Sequence, residues 1–543
     1  MNNFLKLVVV ALLFIVISGC ETQKQNAQPQ TDETTIRIPL ETSISTIDPG
    51  LKEDNFSAEI VEQLFLGLTD FDPETYEVMP EFAKTWETNE DGTIYTFKLR
   101  QDVKWTNGEP VTAHDVVWAI QRNLVKSPLN HTLFILKNAK ATLQGKSLPL
   151  GVRAIDDYTV EFTLEHAASY FPAKASMWTY SPLPRKVVKK YEKYGKDWTK
   201  QKHIQTNGSY QLVEWKKGKR LVLEKNPQYY NAKQVQIQKI HYLVIPKSLI
   251  RLAMYKSNKL DILGGKNSPF PRSEMPYLNS DATLRRELHH VKIFQTVFYG
   301  FNTKKSPMDK PLVRKAIAAA IDKQVLIDFI IWANSTPATT FTSPSNFGSV
   351  APEEQIGIQF DPKQAKKWLK QAGYDDEHEF PKNVILAYDA PSENFANVAK
   401  AIQIMLKRFL NIDIQIKGYT DFYDKIEQPS TPHIFRLAWD GDYPDADNWL
   451  HEVFHPKDGY NWVGWDSHEF AETVEKAQLI SDTTERKRLY RRAEQILTEE
   501  EAVIVPLYFS NVPILVKPWV KGWYNMAIGG QHIRNWRLEN GGR

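Results

Sequence analysis

The feature that most constrains this chain is its single cysteine, Cys20, which follows an unbroken apolar run from Leu7 to Ile17 and the pair Ser18-Gly19. One cysteine in 543 residues leaves no intramolecular disulfide, so the fold has to be held by non-covalent packing alone. Lys6, the apolar run and the small pair Ser18-Gly19 follow one another in the order of an export signal. A helix over that run would be about 16 Å long, well short of the ~30 Å of hydrocarbon a membrane span has to cross. A signal peptide over residues 1–19 is therefore expected, with the rest of the chain working outside the cytoplasm.

The order Ile17-Ser18-Gly19-Cys20 resembles the lipobox of bacterial lipoproteins. That resemblance implies cleavage before Cys20 and acylation of its thiol, leaving a lipid anchor on a membrane. Residues 21–35 (ETQKQNAQPQTDETT) contain no aromatic and no large aliphatic side chain, and such a segment cannot bury a core. Residues 20–35 are read as the lipidated cysteine and a flexible tether with a reach on the order of 20 Å.

The roughly 520 residues that follow are too many for one core, so two or three lobes are expected. Mean hydropathy is −0.45, and no later apolar stretch approaches the length of a membrane span. The net charge is only +3, a balance that argues against nucleic acid as partner.

Strand and helix signals alternate throughout, which points to an α/β fold. Thr34 to Leu40 reads as a strand. Ser57 to Leu68 has helical spacing of Ile60, Val61, Leu64, Phe65 and Leu68, and Thr112 with Asp115 forms a capping pattern before a helix. Tyr210–Trp215 and Arg220–Leu223 read as a hairpin around Lys217-Gly218. Further helices are expected after Pro311, over 362–372, over 395–409 and over 484–497.

Six segments together carry a resemblance. They are Ser45-Thr46-Ile47-Asp48-Pro49, the run FKLRQDVKWTNGEPVTAHDVVWAIQR from Phe97, TNGSYQLVEW from Thr206, NTKKSPMDKPLVRKAIAAAID from Asn302, RLAWDGDYPDADNWL from Arg436 and VPLYFSNVPILVKPWVKGW from Val505. In this order, across nearly the whole mature chain, they resemble the extracytoplasmic solute-binding proteins of ABC importers, in the peptide-binding branch (solute-binding protein family 5). The resemblance implies a three-lobe clamshell of the type II, cluster C kind, enclosing its ligand between lobes. Lobe I would comprise residues 36–65, 190–295 and 507–543, lobe II residues 66–189, and lobe III residues 296–506. It also implies a monomer without cofactor that hands short peptides to permease subunits in the membrane. The family contains receptors for dipeptides, murein peptides, nickel complexes and oligosaccharides as well.

A receptor for many peptides has to bind what all peptides share, namely backbone amides, an ammonium and a carboxylate. By resemblance, Asp442 pairs with the ligand's ammonium, Arg436 answers its carboxylate, Trp439 lines a pocket and Glu53 lies near the cleft. Asp440, beside them, would bias the site toward basic side chains. Where the best-known members carry a histidine and a second arginine, this chain has Asn394 or Phe395, and Glu427 or Gln428, which leaves peptide length open.

His451-Glu452-Val453-Phe454-His455 matches the H-E-x-x-H pattern of zinc proteases, with Glu469, Glu472 or Glu475 as a third ligand. Against that reading, Pro456 biases His455 away from helical geometry. No G-x-S-x-G and no P-loop is present, so a binding protein rather than an enzyme is expected. A lipoprotein acting only as adhesin or sensor is the third class, and it would enclose no ligand.

Overall fold

A computed structural model describes residues 34–539 apart from 53, 270, 332–333, 391 and 428–430. The signal segment, Cys20, most of the tether and Glu53 lie outside the described residues.

Three sheets organise the chain. The first orders Thr35–Leu40, Lys239–Val244, Arg220–Lys225 and Tyr210–Lys216, with the opening strand parallel to its neighbour and the rest antiparallel. The expected hairpin is the edge of this sheet, and Gly218 supplies the positive φ of +70° that its turn requires. The second sheet is antiparallel throughout and orders Ala83–Thr88, Ile94–Leu99, Thr159–Thr163 and Val152–Asp156. Tyr95, Phe97 and Leu99 alternate inward from it, as their spacing predicts, and Phe97 packs on Phe162 and Phe171. The third sheet runs Ile262–Gly264, Ile504–Val516, Leu288–Phe301, Ile434–Asp440, Ile385–Asp389 and Gln415–Tyr419. Its two long strands pair in two stretches, Leu288–Lys292 with Leu515–Asn511 and Thr296–Gly300 with Phe509–Ile504, with a register break between.

The helices largely fall where the periodicity puts them, at Ala113–Lys126, Pro311–Ala319, Pro362–Gln371, Glu393–Leu410 and Thr483–Gln495. Thr112 and Asp115 form the expected cap, the Thr112 N–H donating to Asp115 Oδ2 at 3.0 Å. One helix is shorter than its spacing suggests: it spans Asn55–Leu64, not as far as Leu68. The cause is tertiary. The Leu64 carbonyl accepts the N–H groups of Asn207 and Gly208 at 3.2 and 2.8 Å, and a Cβ at Gly208 would stand 2.5 Å from the Leu64 carbonyl carbon. The glycine of the TNGSY segment is thus required by close backbone approach, and Leu66 and Leu68 are buried without being helical.

The Ser45–Pro49 segment is held by Asp48, which is buried and accepts from Arg122 Nη2 at 2.6 Å, Trp198 Nε1 at 2.9 Å and Gly50 N at 3.0 Å. A buried carboxylate needs such partners to offset its lost hydration. This anchor fixes the start of the chain against helix Ala113–Lys126 and so places Lys52. Among the described residues no helix is long and apolar enough to cross a membrane.

Candidate functional site

The strand Ile434–Asp440 carries the candidate residues, and alternation puts Arg436 and Asp440 on one face and Trp439 on the other. At its end the chain turns through Gly441 and Asp442 into helix Ala446–Phe454. That helix is seated by a buried pair. Asp445 is its N-cap, accepting the Asp447 N–H at 3.0 Å, and takes both arms of Arg486 at 2.8 Å each. Arg486 also donates to Tyr490 Oη at 2.7 Å and to the Ala477 carbonyl at 3.1 Å, so all three guanidinium nitrogens are engaged.

Asp442 is half-buried, and its backbone N–H donates to Asn448 Oδ1 at 2.9 Å. Among the described residues no cation stands within 4.0 Å of its carboxylate. Burial, reinforced by the charge of Glu452, pushes its pKa up to about 6, against the opposing pull of Lys52, Lys174 and Asn448. Beside it is a recess of about 30 Å³ with Glu62 and Trp178 on its wall, room for about one or two waters and hence for an ammonium. Trp178 Nε1 donates to Glu62 at 2.8 Å, and Lys52 Nζ lies 3.4 Å from the centre of the Trp178 ring. Burial lowers the Lys52 pKa to about 8 although Asp442, Glu62 and Asp54 pull it upward.

Arg436 lies with its guanidinium 3.6 Å from the centre of the Phe395 ring, a cation–π contact with one of the two positions, Asn394 or Phe395, where relatives were expected to carry histidine. Among the described residues no carboxylate stands within 4.0 Å of it, which leaves its fork of donors for an external anion. Trp439 Nε1 donates to Asn448 at 3.2 Å, and its ring neighbours Tyr460 and Trp462, which stack on each other at 4.7 Å. Asn448 therefore ties Trp439 and Asp442 together. Gln428 lies outside the described residues.

Asp440 is differently placed from what its sequence position suggests. It accepts Lys266 Nζ at 2.5 Å and Gln295 Nε2 at 3.0 Å. Burial would raise its pKa, but Lys266 and Gln295 outweigh it and hold the carboxyl below its usual value. The charge assigned to a preference for basic side chains is thus already matched. Wild-type protein is expected to discriminate between Lys- and Glu-containing peptides of one length by less than about threefold, and Lys266→Met to shift the preference toward the Lys-containing one. Calorimetry on the two peptide series checks both.

A cavity of about 660 Å³ adjoins these residues, lined among others by Tyr170, Lys174, His451, Glu452, Asp458 and Tyr460. This is within the usual range for small-ligand sites. Glu452, the would-be base of the H-E-x-x-H pattern, accepts from Lys174 Nζ at 2.5 Å and Asn448 Nδ2 at 2.7 Å, and Tyr443 Oη, whose one proton is shared between it and Asp447, lies 3.0 Å away. The helix ends at Phe454, and His455 is extended at φ −60°, ψ 128°, as Pro456 leads one to expect.

Sequence reasoning missed Lys52, Lys174, Lys266, Asn448 and Tyr460. Asn448 and Tyr460 sit close to the quoted motif, but nothing local marks the three lysines, whose roles arise only from folding.

Comparison with known proteins gives this geometry its family. Residues 77–461 match the model for bacterial extracellular solute-binding proteins, family 5. The oligopeptide-binding protein OppA of Bacillus subtilis is 30% identical, covering 97% of this chain and 98% of that protein. The probable deoxycholate-binding periplasmic protein YgiS of Escherichia coli is also 30% identical, over 88% of each chain. Among solved structures, the periplasmic oligopeptide-binding protein OppAIV of Borrelia burgdorferi superposes with a TM-score of 0.76 at 29% identity, covering 93% of this chain and all of that one. The chain belongs to the family 5 solute-binding proteins, and its fold is the α/β clamshell of that family.

Proposed function

We propose that this protein is the peptide receptor of an ABC importer, held on the outer face of a bacterial cell membrane through lipid on Cys20, which captures short peptides and hands them to permease subunits. The observation that carries the reading is Asp442, a half-buried carboxylate with no cation within 4.0 Å among the described residues, beside a recess of ammonium size. An enclosed carboxylate of this kind gains most from a ligand that brings its own positive charge. Arg436, six residues back along the chain and so at most about 20 Å off, would meet the carboxylate of an extended peptide directly or through water.

In this reading the chain is not an enzyme. Residues 36–65, 190–295 and 507–543 form one lobe, 66–189 a second and 296–506 a third, and the register break between Lys292 and Thr296 supports a boundary there. Ligand that touches several lobes only when they close stabilises the closed state, which the permease can then recognise.

Calorimetry with a peptide and its N-acetylated form tests the reading: the free amine is expected to bind at least about 30-fold more tightly. A solute such as deoxycholate, for which one relative is named a probable binding protein, has no ammonium. Equal affinity for the two peptide forms would favour that second class.

Asp442 in the free protein titrates at about 6. A bound ammonium favours the carboxylate, so binding is expected to weaken about tenfold per pH unit below 6, while the peptide amine stays charged up to about 8. Titrations at pH 5, 6 and 7 check it. An affinity that rises on acidification would remove Asp442 from the contact.

A further inference from the structure

The H-E-x-x-H stretch is not absorbed by peptide capture, and its side chains make an arrangement of their own. We propose that His451, His455 and Asp458 form a binding site for a divalent transition metal of the zinc class on the wall of the 660 Å³ cavity.

One donor atom from each of the three lies within 4.8 Å of the other two. His451 and His455, a helical turn apart, stack with ring centres 4.6 Å apart. The His451 ring, facing the cavity, takes no hydrogen bond from any described residue. His455 Nε2 faces Glu475 Oε1 at 3.0 Å, while Nδ1 accepts the Asp458 N–H at 3.1 Å. That pattern fixes the tautomer with the proton on Nε2, donated to a carboxylate. A ring N–H donated to a carboxylate is the outer-shell arrangement by which metal-binding histidines are commonly oriented, and Nδ1 would carry the metal on giving up the Asp458 N–H. Asp458 gives Oδ1 to Lys140 at 3.0 Å, and its Oδ2 is turned toward His455 Nδ1 at 3.7 Å.

Two imidazoles and one carboxylate suit zinc, with a fourth position open toward the cavity. Tetrahedral zinc needs donors about 3.4 Å apart, so the three must draw inward by roughly an ångström. Asp458 is exposed and can make most of that move, with Nδ1 exchanging the backbone N–H for the metal. Glu452 is held by Lys174, Asn448 and Tyr443, so it is not free to act as base, and the site binds metal without hydrolysing peptides.

Equilibrium dialysis of the purified full chain against zinc, without added peptide, tests this independently of peptide capture. One zinc per chain is expected, with affinity falling at least tenfold in His451→Ala and in Asp458→Asn, and about 10- to 100-fold in Glu475→Gln. Lys140→Ala, which removes a competitor for Asp458 and a nearby positive charge, is expected to tighten binding several-fold. Cobalt(II) added to the unaltered protein gives a second readout that needs no variant, the strong visible bands of a four-coordinate ion. Less than stoichiometric zinc at about 100 μM, binding unchanged in His451→Ala and Asp458→Asn, or the pale spectrum of six-coordinate cobalt would each overturn the site.

Discussion

Replacing Asp442 with alanine is expected to raise the Kd for a free-amine peptide by about 30-fold to several thousand-fold, the equivalent of about 2–5 kcal/mol. The magnitude comes from desolvation as much as from attraction. An ammonium bound in the recess beside Trp178 and Glu62 gives up its water, and without a carboxylate that loss is uncompensated. Asp442→Asn keeps the shape and removes the charge, so it should fall almost as far. The N-acetylated peptide, which never offered the charge, should lose little further on either substitution. Calorimetry on the four combinations forms a double-mutant cycle. A coupling near zero would mean that Asp442 merely shapes the turn before Tyr443-Pro444.

The largest effect on stability is expected from Arg486→Met. Arg486 is buried and answers both oxygens of the equally buried Asp445, so the substitution leaves a carboxylate without its cation in the interior, at a cost of about 3–5 kcal/mol. Lysine is expected to recover only part of this, because a single ammonium cannot reproduce the two-armed fork. Asp445 also caps helix Ala446–Phe454, whose Asn448 holds Asp442 and Trp439, so peptide affinity should weaken alongside stability. Denaturant titration followed by tryptophan fluorescence checks the first effect. A midpoint shift smaller than that of an exposed pair such as Arg488→Ala would show that the buried pair contributes little.

Much of this was legible in the chain because local chemistry and tertiary need coincide. The hairpin at Gly218, the cap at Thr112 and the inward alternation of Tyr95, Phe97 and Leu99 all follow from short-range rules that the fold does not override. Where tertiary contacts decide, periodicity misleads. Leu68 keeps helical spacing with Leu64, yet the carbonyl of Leu64 is claimed by a loop some 140 residues away, and the helix stops. The site divides in the same way. Asp442, Arg436, Trp439 and Asp440 stand in one motif, and the structure links Trp439 to Asp442 through Asn448 while it turns Asp440 to Lys266. The matching of Asp440 by Lys266 was invisible, because the partner comes from a loop 174 residues distant whose sequence carries no sign of it. Lys174, which pairs with Glu452 of the H-E-x-x-H stretch, was hidden for the same reason.

The most direct test of peptide capture is to weigh the purified protein by native mass spectrometry before and after mild unfolding. A heterogeneous set of released masses that sequence as peptides of similar length is the result expected here, and that length would report the span between Asp442 and Arg436. Release of a single non-peptide mass, or failure to retain any member of a subsequently added peptide library, would contradict it.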